Sequence, residues 1–374
     1  MTAVLTRWPG GADFVAAAGR WEAARAVDDA GVHAAATHGL LGAAVPERHG
    51  GAGLPLTEVV ELHRTVAAHS PSLQSLLVVH SMVCQALTRW GNPELRETLL
   101  PVLARGEQVA AFALTEGDAG SNVRDLSTKL RADGDTVLVS GRKRWISFGQ
   151  VADLFLVFGY GTEGGTCALV RAGTGVTARP EPPSTGLRAA RLSDVTFDDA
   201  PAPAAMVVGR PGFGIPLVAT SCLTLGRLLI AAAATGVAQR AVALAAEHVA
   251  GRTVGGAPLG ERQLVRGALA EASIAAESAW LAVQEAARAL DDARPDAGLL
   301  AARVKLLAAR AAALATAHAT RLHGAAALVE DHPLQRLRQA ADAYQVIEGP
   351  DEVLQDLIGG DLARRSPARP VTHG

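Results

Sequence analysis

The chain has 374 residues, with 35 basic and 37 acidic side chains and a net charge of −2, which gives no electrostatic case for binding nucleic acid or an anionic membrane surface. At roughly 150 residues per domain, two or three domains are expected. Apolar residues supply 49% of the chain but aromatics only 4%, so the apolar content is largely small side chains, which favours closely packed helices and argues against disorder.

The start, Met1 to Trp21, lacks the basic-then-apolar order of a secretion signal. From Ala12 to about Glu107 the pattern is helical, broken by a turn-rich connection, Gly39 to Gly51. Helices are expected at about Leu56–His69, Leu73–Arg89 and Pro93–Ala104, with Pro71 and Asn92-Pro93 as the breaks. From Ala111 short β-type runs take over: Thr136–Ser140, Leu154–Phe158, Thr166–Val170 and Val195–Phe197, separated by Gly, Asp and Pro clusters. After a loop-rich exit, Pro201 to Gly214, Ala-rich helices are expected at about Ile215–Val249, Arg262–Asp291, Gly298–His323, Pro333–Tyr344 and Asp351–Ala363. Ten of the twenty residues from Ala301 to Thr320 are Ala, and such small residues let helix axes approach closely in an antiparallel bundle. The apolar stretch Leu228–Ala238, held between Arg227 and Arg240, reads as too short to span a bilayer. The order is helices, sheet, helices: a 1–110 all-α domain, a 111–208 β domain and a 209–374 helical bundle, with a site expected at their seam. A cytoplasmic protein is expected.

Generic motifs are absent: no GxxxxGK[ST], no HExxH, no G-x-S-x-G. Cys84, Cys167 and Cys222 are too scattered for a disulfide framework or a CxxC zinc site, and His318 and His323, five apart, do not share a helix face; no metal is expected. Three segments carry the chemistry. Ala111-Phe112-Ala113-Leu114-Thr115-Glu116-Gly117-Asp118-Ala119-Gly120-Ser121-Asn122 sets hydroxyls among small residues, although Thr115-x-x-Asp118 alone reads as a capping box. Lys143-Arg144-Trp145-Ile146-Ser147-Phe148-Gly149 puts a Trp beside a hydroxyl, suited to wall a flat heterocycle or simply to end a strand. Tyr344-Gln345-Val346-Ile347-Glu348-Gly349-Pro350 places Glu348 in a turn behind apolar neighbours, where a raised pKa would make it a base; the alternative is a solvated loop carboxylate.

In this order and spacing the segments resemble the acyl-CoA dehydrogenase family over nearly the whole chain. Val45-Pro46-Glu47-Arg48-His49-Gly50-Gly51 resembles its N-terminal turn, Thr115-Glu116 through Ala119-Gly120-Ser121 its flavin and substrate loop, Trp145-Ile146-Ser147 its second flavin segment, and Ile347-Glu348-Gly349 the segment of its catalytic glutamate. The resemblance implies an N-terminal helical domain, a middle β-barrel-like domain and a C-terminal four-helix bundle, with non-covalent FAD at the seam. It implies α,β-dehydrogenation of an acyl thioester carried by CoA or an acyl carrier protein, with electrons passed to an electron-transfer flavoprotein or oxygen. Glu348 would remove the α-proton as a hydride leaves the β-carbon for flavin N5, and the Glu348 backbone N–H would help polarise the thioester carbonyl. Phe112, Leu114, Thr115, Trp145 and Ser147 would contact the flavin ring, Ser121, Arg227 and Gly349 the substrate, and Glu352 would also face the cofactor.

The family segment Glu-Arg-x-x-Phe-Gly reads Ala250-Gly251-Arg252-Thr253-Val254-Gly255, and Gln before Gly-Gly reads Arg321-Leu322-His323-Gly324-Ala325. Arg252, Thr253, Arg321 and Gly324 would then meet the FAD of a partner subunit in a homodimer or homotetramer. The Thr after Glu-Gly is Pro350, and the upstream Arg-Asp is Gln339-Ala340. The Ala-rich, divergent sequence is similar to the branch that serves polyketide and other secondary-metabolite pathways. The alternatives are a non-catalytic subunit that kept the fold and a flavin oxidase or monooxygenase.

Overall fold

A computed structural model describes residues 11–117 and 123–365. The chain opens with α1 (Gly11–Ala23) and α2 (Asp29–Thr37), the second capped by the Asp28 carboxylate, which accepts from the Gly31 N–H at 2.9 Å. The turn predicted at Val45–Gly51 is a single 3₁₀ turn, Glu47–His49, closed by Gly50 at φ +80°; a Cβ on Gly51 would lie 2.2 Å from the Val45 carbonyl oxygen, so only glycine fits there. Three helices follow: α3 (Leu56–Ala67), α4 (Pro71–Trp90) and α5 (Pro93–Ala104). Ser70 and Asn92 cap the last two, each followed by Pro in the first helical turn. Helix α4 runs through the core; from Pro71 to Cys84 every residue except Val79 is buried. Its His80 accepts the Ala110 N–H on Nδ1 and donates from Nε2 to the Leu103 carbonyl, a neutral tautomer whose pKa burial holds down at about 4. That pair of bonds ties α4 to α5 and to the first strand.

Seven strands form the middle layer: β1 (Ala110–Ala113), β2 (Lys129–Asp133), β3 (Thr136–Ile146), β4 (Leu154–Gly161), β5 (Gly164–Arg171), β6 (Val176–Pro180) and β7 (Ser193–Pro203). They curl in the order β1-β4-β2-β3-β7-β6, with β5 also on β4; β1 runs parallel to β4, and β3 pairs antiparallel with β2 and β7. The four strands expected from sequence are all present and all longer. β1, β2 and β6 went unread for opposite reasons. β1 is buried at every position and so does not alternate, whereas β2 and β6 are short and mostly exposed.

After a π-turn at Gly214–Ala219, α6 (Thr220–Gly251) leads to a hairpin of β8 (Thr253–Val254) and β9 (Ala257–Pro258), then α7 (Gln263–Asp291), α8 (Ala297–His323), α9 (Pro333–Tyr344) and α10 (Asp351–Arg365). The apolar stretch read as too short for a bilayer belongs to a continuous 38-residue segment, Gly214–Gly251, that is long and apolar enough to cross one. Its place is the core instead: 67% of its most apolar stretch is buried inside the molecule, where it packs on α3, α7 and α8. The close helix approach expected from small residues is literal at Gly236, where a Cβ would fall 2.0 Å from the Arg64 carbonyl oxygen of α3.

Candidate active site

The three chemistry-bearing segments meet in one cavity of about 680 Å³ at the seam of the helical and β layers. Phe112, Leu114, Thr115, Trp145, Ser147, Arg227, Glu348 and Gly349 line it, joined by Ser75, Val78 and Val79 of α4 and Leu223 and Ile230 of α6.

The wall facing the helices is built on a buried ion pair. Glu116 follows directly on β1 and Leu114-Thr115. Its Oε1 accepts from Lys143 Nζ at 2.8 Å and from the Thr128 N–H at 3.1 Å, and its Oε2 from the Ser127 N–H and hydroxyl, both at 2.7 Å. Burial pushes Glu116 upward, but the Lys143, Thr128 and Ser127 bonds outweigh it and hold the carboxyl at about 2. Lys143 is fully buried and also donates to the Leu114 carbonyl at 3.0 Å, while the Arg144 N–H donates to the Thr115 carbonyl at 2.9 Å. The loop that presents Leu114 and Thr115 is therefore fixed from below, and the Thr115 side is exposed to the cavity.

Trp145 stands at the end of β3 with φ +60°, in the left-handed region a bulky residue rarely adopts. Its N–H donates to Glu181 Oε1 at 3.3 Å, and the Arg144 guanidinium, paired with the same carboxylate, lies 4.8 Å over the indole. Trp145 is 47% exposed, so it both ends its strand and stands open as a flat wall.

Glu348 sits between α9 and α10 at φ +54°, and the next residue, Gly349, is at φ +104°. Its Oε2 is shut off from solvent with no hydrogen-bond partner. Burial raises its pKa to about 7, against the pull of Arg227 and Lys305. The carboxyl has room because α6 carries Gly226 opposite it: a Cβ there would lie 2.5 Å from Oε2 and 2.8 Å from Cδ. Arg227 Nε donates to the Glu348 carbonyl at 3.3 Å, so Arg227 braces the Glu348 turn from inside the cavity wall.

Ser121 lies outside the described residues, as does Asp118 of the capping-box reading. Arg252, Thr253, Arg321, Gly324 and Glu352 are exposed and do not line the cavity. Arg252 caps α6, Thr253 opens the hairpin, Arg321 and Gly324 end α8, and Glu352 lies in the first turn of α10. Arg321 lines a separate surface groove with Gln263 and Leu264 and bonds His318, whose Nε2 is 3.0 Å from Glu271; His323 stacks on His248 at 4.2 Å. Four residues that hold the site went unread: Lys143, Gly226, Lys305, and Glu116 in its anchoring role. A signal existed for Lys305, a charge at helical spacing from the apolar Ala301, Ala308 and Ala312; all four are buried.

Such a cavity, with a braced hydroxyl-bearing loop and an exposed indole on one side and an unpaired carboxyl on the other, belongs to an acid–base enzyme of the flavoprotein type. The sequence matches the acyl-CoA dehydrogenase N-terminal domain over residues 12–107, the middle domain over 111–200 and the C-terminal domain over 212–363. An acyl-CoA dehydrogenase of Bacillus subtilis (strain 168) is 31% identical over 328 residues, 86% of each chain. The butyryl-CoA dehydrogenase structure from Megasphaera elsdenii superposes with a TM-score of 0.90 at 26% identity, covering 97% of this chain and 99% of that one. FkbI, described for biosynthesis of the methoxymalonyl extender unit of the Fk520 polyketide, superposes with a TM-score of 0.86 at 29% identity, covering 95% and 98%. The chain belongs to the acyl-CoA dehydrogenase family and has its fold; it is an oxidoreductase acting on CH–CH donors, with FAD as cofactor. The cavity fits that cofactor on its own evidence: a flat exposed indole and the hydroxyl-bearing side chains of Thr115 and Ser147 line one largely apolar space.

Proposed function

We propose that the protein dehydrogenates the Cα–Cβ bond of an acyl thioester with Glu348 as the general base. The observation that carries this is the Glu348 carboxyl, whose Oε2 is shut off from solvent and has no hydrogen-bond partner among the described residues, in the same cavity as Thr115, Trp145 and Ser147. A carboxylate whose pKa lies near 7 is matched to taking a proton at neutral pH. FAD, when bound, supplies the hydride acceptor that dehydrogenation requires. The residues of the chain do the rest. Phe112, Leu114, Thr115, Trp145 and Ser147 bind and orient the cofactor ring. The apolar faces of α4 and α6, with Ile347 and Val346, exclude water from the acyl group. Glu348 Oε2 takes the α-proton.

The proposal extends to substrate and partners. Likeness to FkbI supports an acyl chain drawn from polyketide or related metabolism, carried by CoA or an acyl carrier protein, and the family supports electron-transfer flavoprotein as the acceptor. The exposed positions of Arg252, Thr253, Arg321 and Gly324 support a homo-oligomer in which these residues face a neighbour's FAD. The test is anaerobic flavin bleaching by a panel of acyl-CoA and acyl-carrier thioesters, with Glu348→Gln as control. Bleaching by none of them, or unchanged bleaching in Glu348→Gln, overturns the reading.

A further inference from the structure

Two cations from two different helices grip consecutive carbonyls of the turn that carries the base. Arg227 Nε of α6 donates to the Glu348 carbonyl at 3.3 Å, and Lys305 Nζ of α8 donates to the Gly349 carbonyl at 2.7 Å. Between them the chain holds two successive residues at positive φ, +54° and +104°. Such backbone persists only where its surroundings over-determine it. The Lys305 side chain has no solvent exposure, and the carboxylate it pairs with, Asp351 Oδ1, is 3.7 Å away. A fully buried ammonium is rare and is retained only when it is paired. Gly349 and Asp351 are both in or beside the Glu348 turn, so everything Lys305 touches by hydrogen bond or ion pair belongs to the segment that presents the base.

Resting on the reading of Glu348 as the base, we propose that Lys305 is a positioning residue: it locks the Glu348–Gly349 turn and is the buried counter-charge that lets the carboxyl ionise there at neutral pH. Arg227 clamps only the first carbonyl of the turn, and Lys305 supplies the clamp on the second. Burial drives Glu348 upward, with Arg227 and Lys305 both pulling it back. Lys305 is itself lowered to about 8, chiefly by burial, with Asp351 and Glu348 opposing. The charged and titratable groups around the turn are Arg227 and the buried Cys222 thiol on α6, Lys305 and Arg310 on α8, Asp342 on α9 and Asp351 on α10. Cys222 is pushed far up by burial and stays neutral, and Arg310 pairs with Asp351 at 3.5 Å. Removal of Lys305 takes away a positive charge together with the shorter of the two backbone clamps, 2.7 Å against 3.3 Å for Arg227.

The test uses FAD-loaded Lys305→Met, Lys305→Gln and Lys305→Arg with a thioester that bleaches the wild type. Flavin content, melting temperature and the pH profile of anaerobic bleaching between pH 5.5 and 9 are measured for each. Lys305→Met is expected to move the midpoint of the profile up by about one pH unit, the lower end of the shift an opposite charge produces, and to slow bleaching at pH 7 about tenfold. Lys305→Gln keeps a donor for the Gly349 carbonyl without the charge, and the same upward shift is expected. Lys305→Arg is expected to restore the midpoint. A lower melting temperature or flavin content with the wild-type midpoint in both neutral variants means a structural role only and overturns the proposal. If Glu348→Gln still bleaches at the wild-type rate, the reading of the base fails and this proposal falls with it. If Glu348→Gln is inert and the midpoint stays, the proposal alone fails.

Discussion

Gly226 and Glu348 lie so close across the cavity that a single methyl group on the glycine would sit 2.5 Å from the carboxyl Oε2. Real Cβ atoms do not approach oxygen that closely, so Gly226→Ala must displace the carboxyl or the helix. In a helix interior Gly→Ala ordinarily stabilises by about 1 kcal/mol, and a residue without a role opposite the base would follow that rule. The expected outcome is the reverse in function: flavin retained, but bleaching by substrate slowed about 10²-fold, the effect of misplacing a reacting group by an ångström. Stopped-flow bleaching alongside the flavin spectrum checks it; a more stable Gly226→Ala with unchanged bleaching refutes it.

The pKa of Glu348 gives two coupled expectations. A base at about 7 is protonated and idle below that pH, so bleaching should rise as pH passes through about 7. For stability the sign is opposite. The folded carboxyl holds its proton to about 7 while the unfolded one releases it near 4.5, so across that window the folded state binds more protons and stability falls as pH rises. A shift of that size corresponds to about 3 kcal/mol at most. Glu348→Gln, which has no proton to lose, should therefore lose bleaching and gain melting temperature relative to wild type, more at pH 8 than at pH 5. Equal differences at the two pH values would show that Glu348 is not strained by burial.

Much of this was legible in the sequence because it depends on local signals. Pro93–Ala104 and Pro333–Tyr344 were read to the residue, since Asn92 and His332 stand before a Pro that opens each helix. The glutamate turn was legible because Gly-Pro follows Glu348. What was not legible depends on the third dimension. Nothing about Lys143 in a strand announces that its ammonium is buried against Glu116, and Gly226 looks like any glycine in an Ala-rich helix until α6 is laid beside the turn. Arg227, assigned to the substrate by resemblance, lines the cavity and also sets its Nε on the Glu348 carbonyl, a backbone contact the sequence does not announce.

The Glu116–Lys143 pair should behave as a strut for the loop that carries Thr115. Lys143→Met leaves a buried carboxylate without its cation, a loss of roughly 3–5 kcal/mol for buried pairs. Glu116→Gln with Lys143→Met removes both charges and should recover part of that loss. Because the Glu116 carboxyl is held at about 2, below its unfolded value, its contribution to stability is present above about pH 4.5 and lost as pH falls toward 2. Melting curves from pH 3 to 7 check the sign: the wild type should lose more stability on acidification than Glu116→Gln does. Flavin retention should fall in Lys143→Met, since Leu114 and Thr115 lose their anchor. Full retention with wild-type stability would count against the strut.

Arg252 and Arg321 face outward, on the C-cap of α6 and the last turn of α8, away from the cavity lined by Thr115, Trp145 and Ser147. If a neighbouring subunit brings its FAD diphosphate to them, Arg252→Ala and Arg321→Ala should each weaken FAD binding by roughly 1.5–3 kcal/mol, the scale of a charge-assisted hydrogen bond. The loss should appear as FAD release on gel filtration, reversed by excess FAD, with the bleaching rate of the reloaded enzyme near normal because Thr115, Trp145 and Ser147 are untouched. The same arrangement requires an oligomer: light scattering at micromolar concentration should give a dimer or tetramer. Arg227 offers the contrast, since it braces Glu348, and Arg227→Ala should slow bleaching with FAD content unchanged. A monomer that holds FAD tightly, or full FAD retention by the Arg252→Ala, Arg321→Ala double variant, would remove these two arginines from the cofactor site.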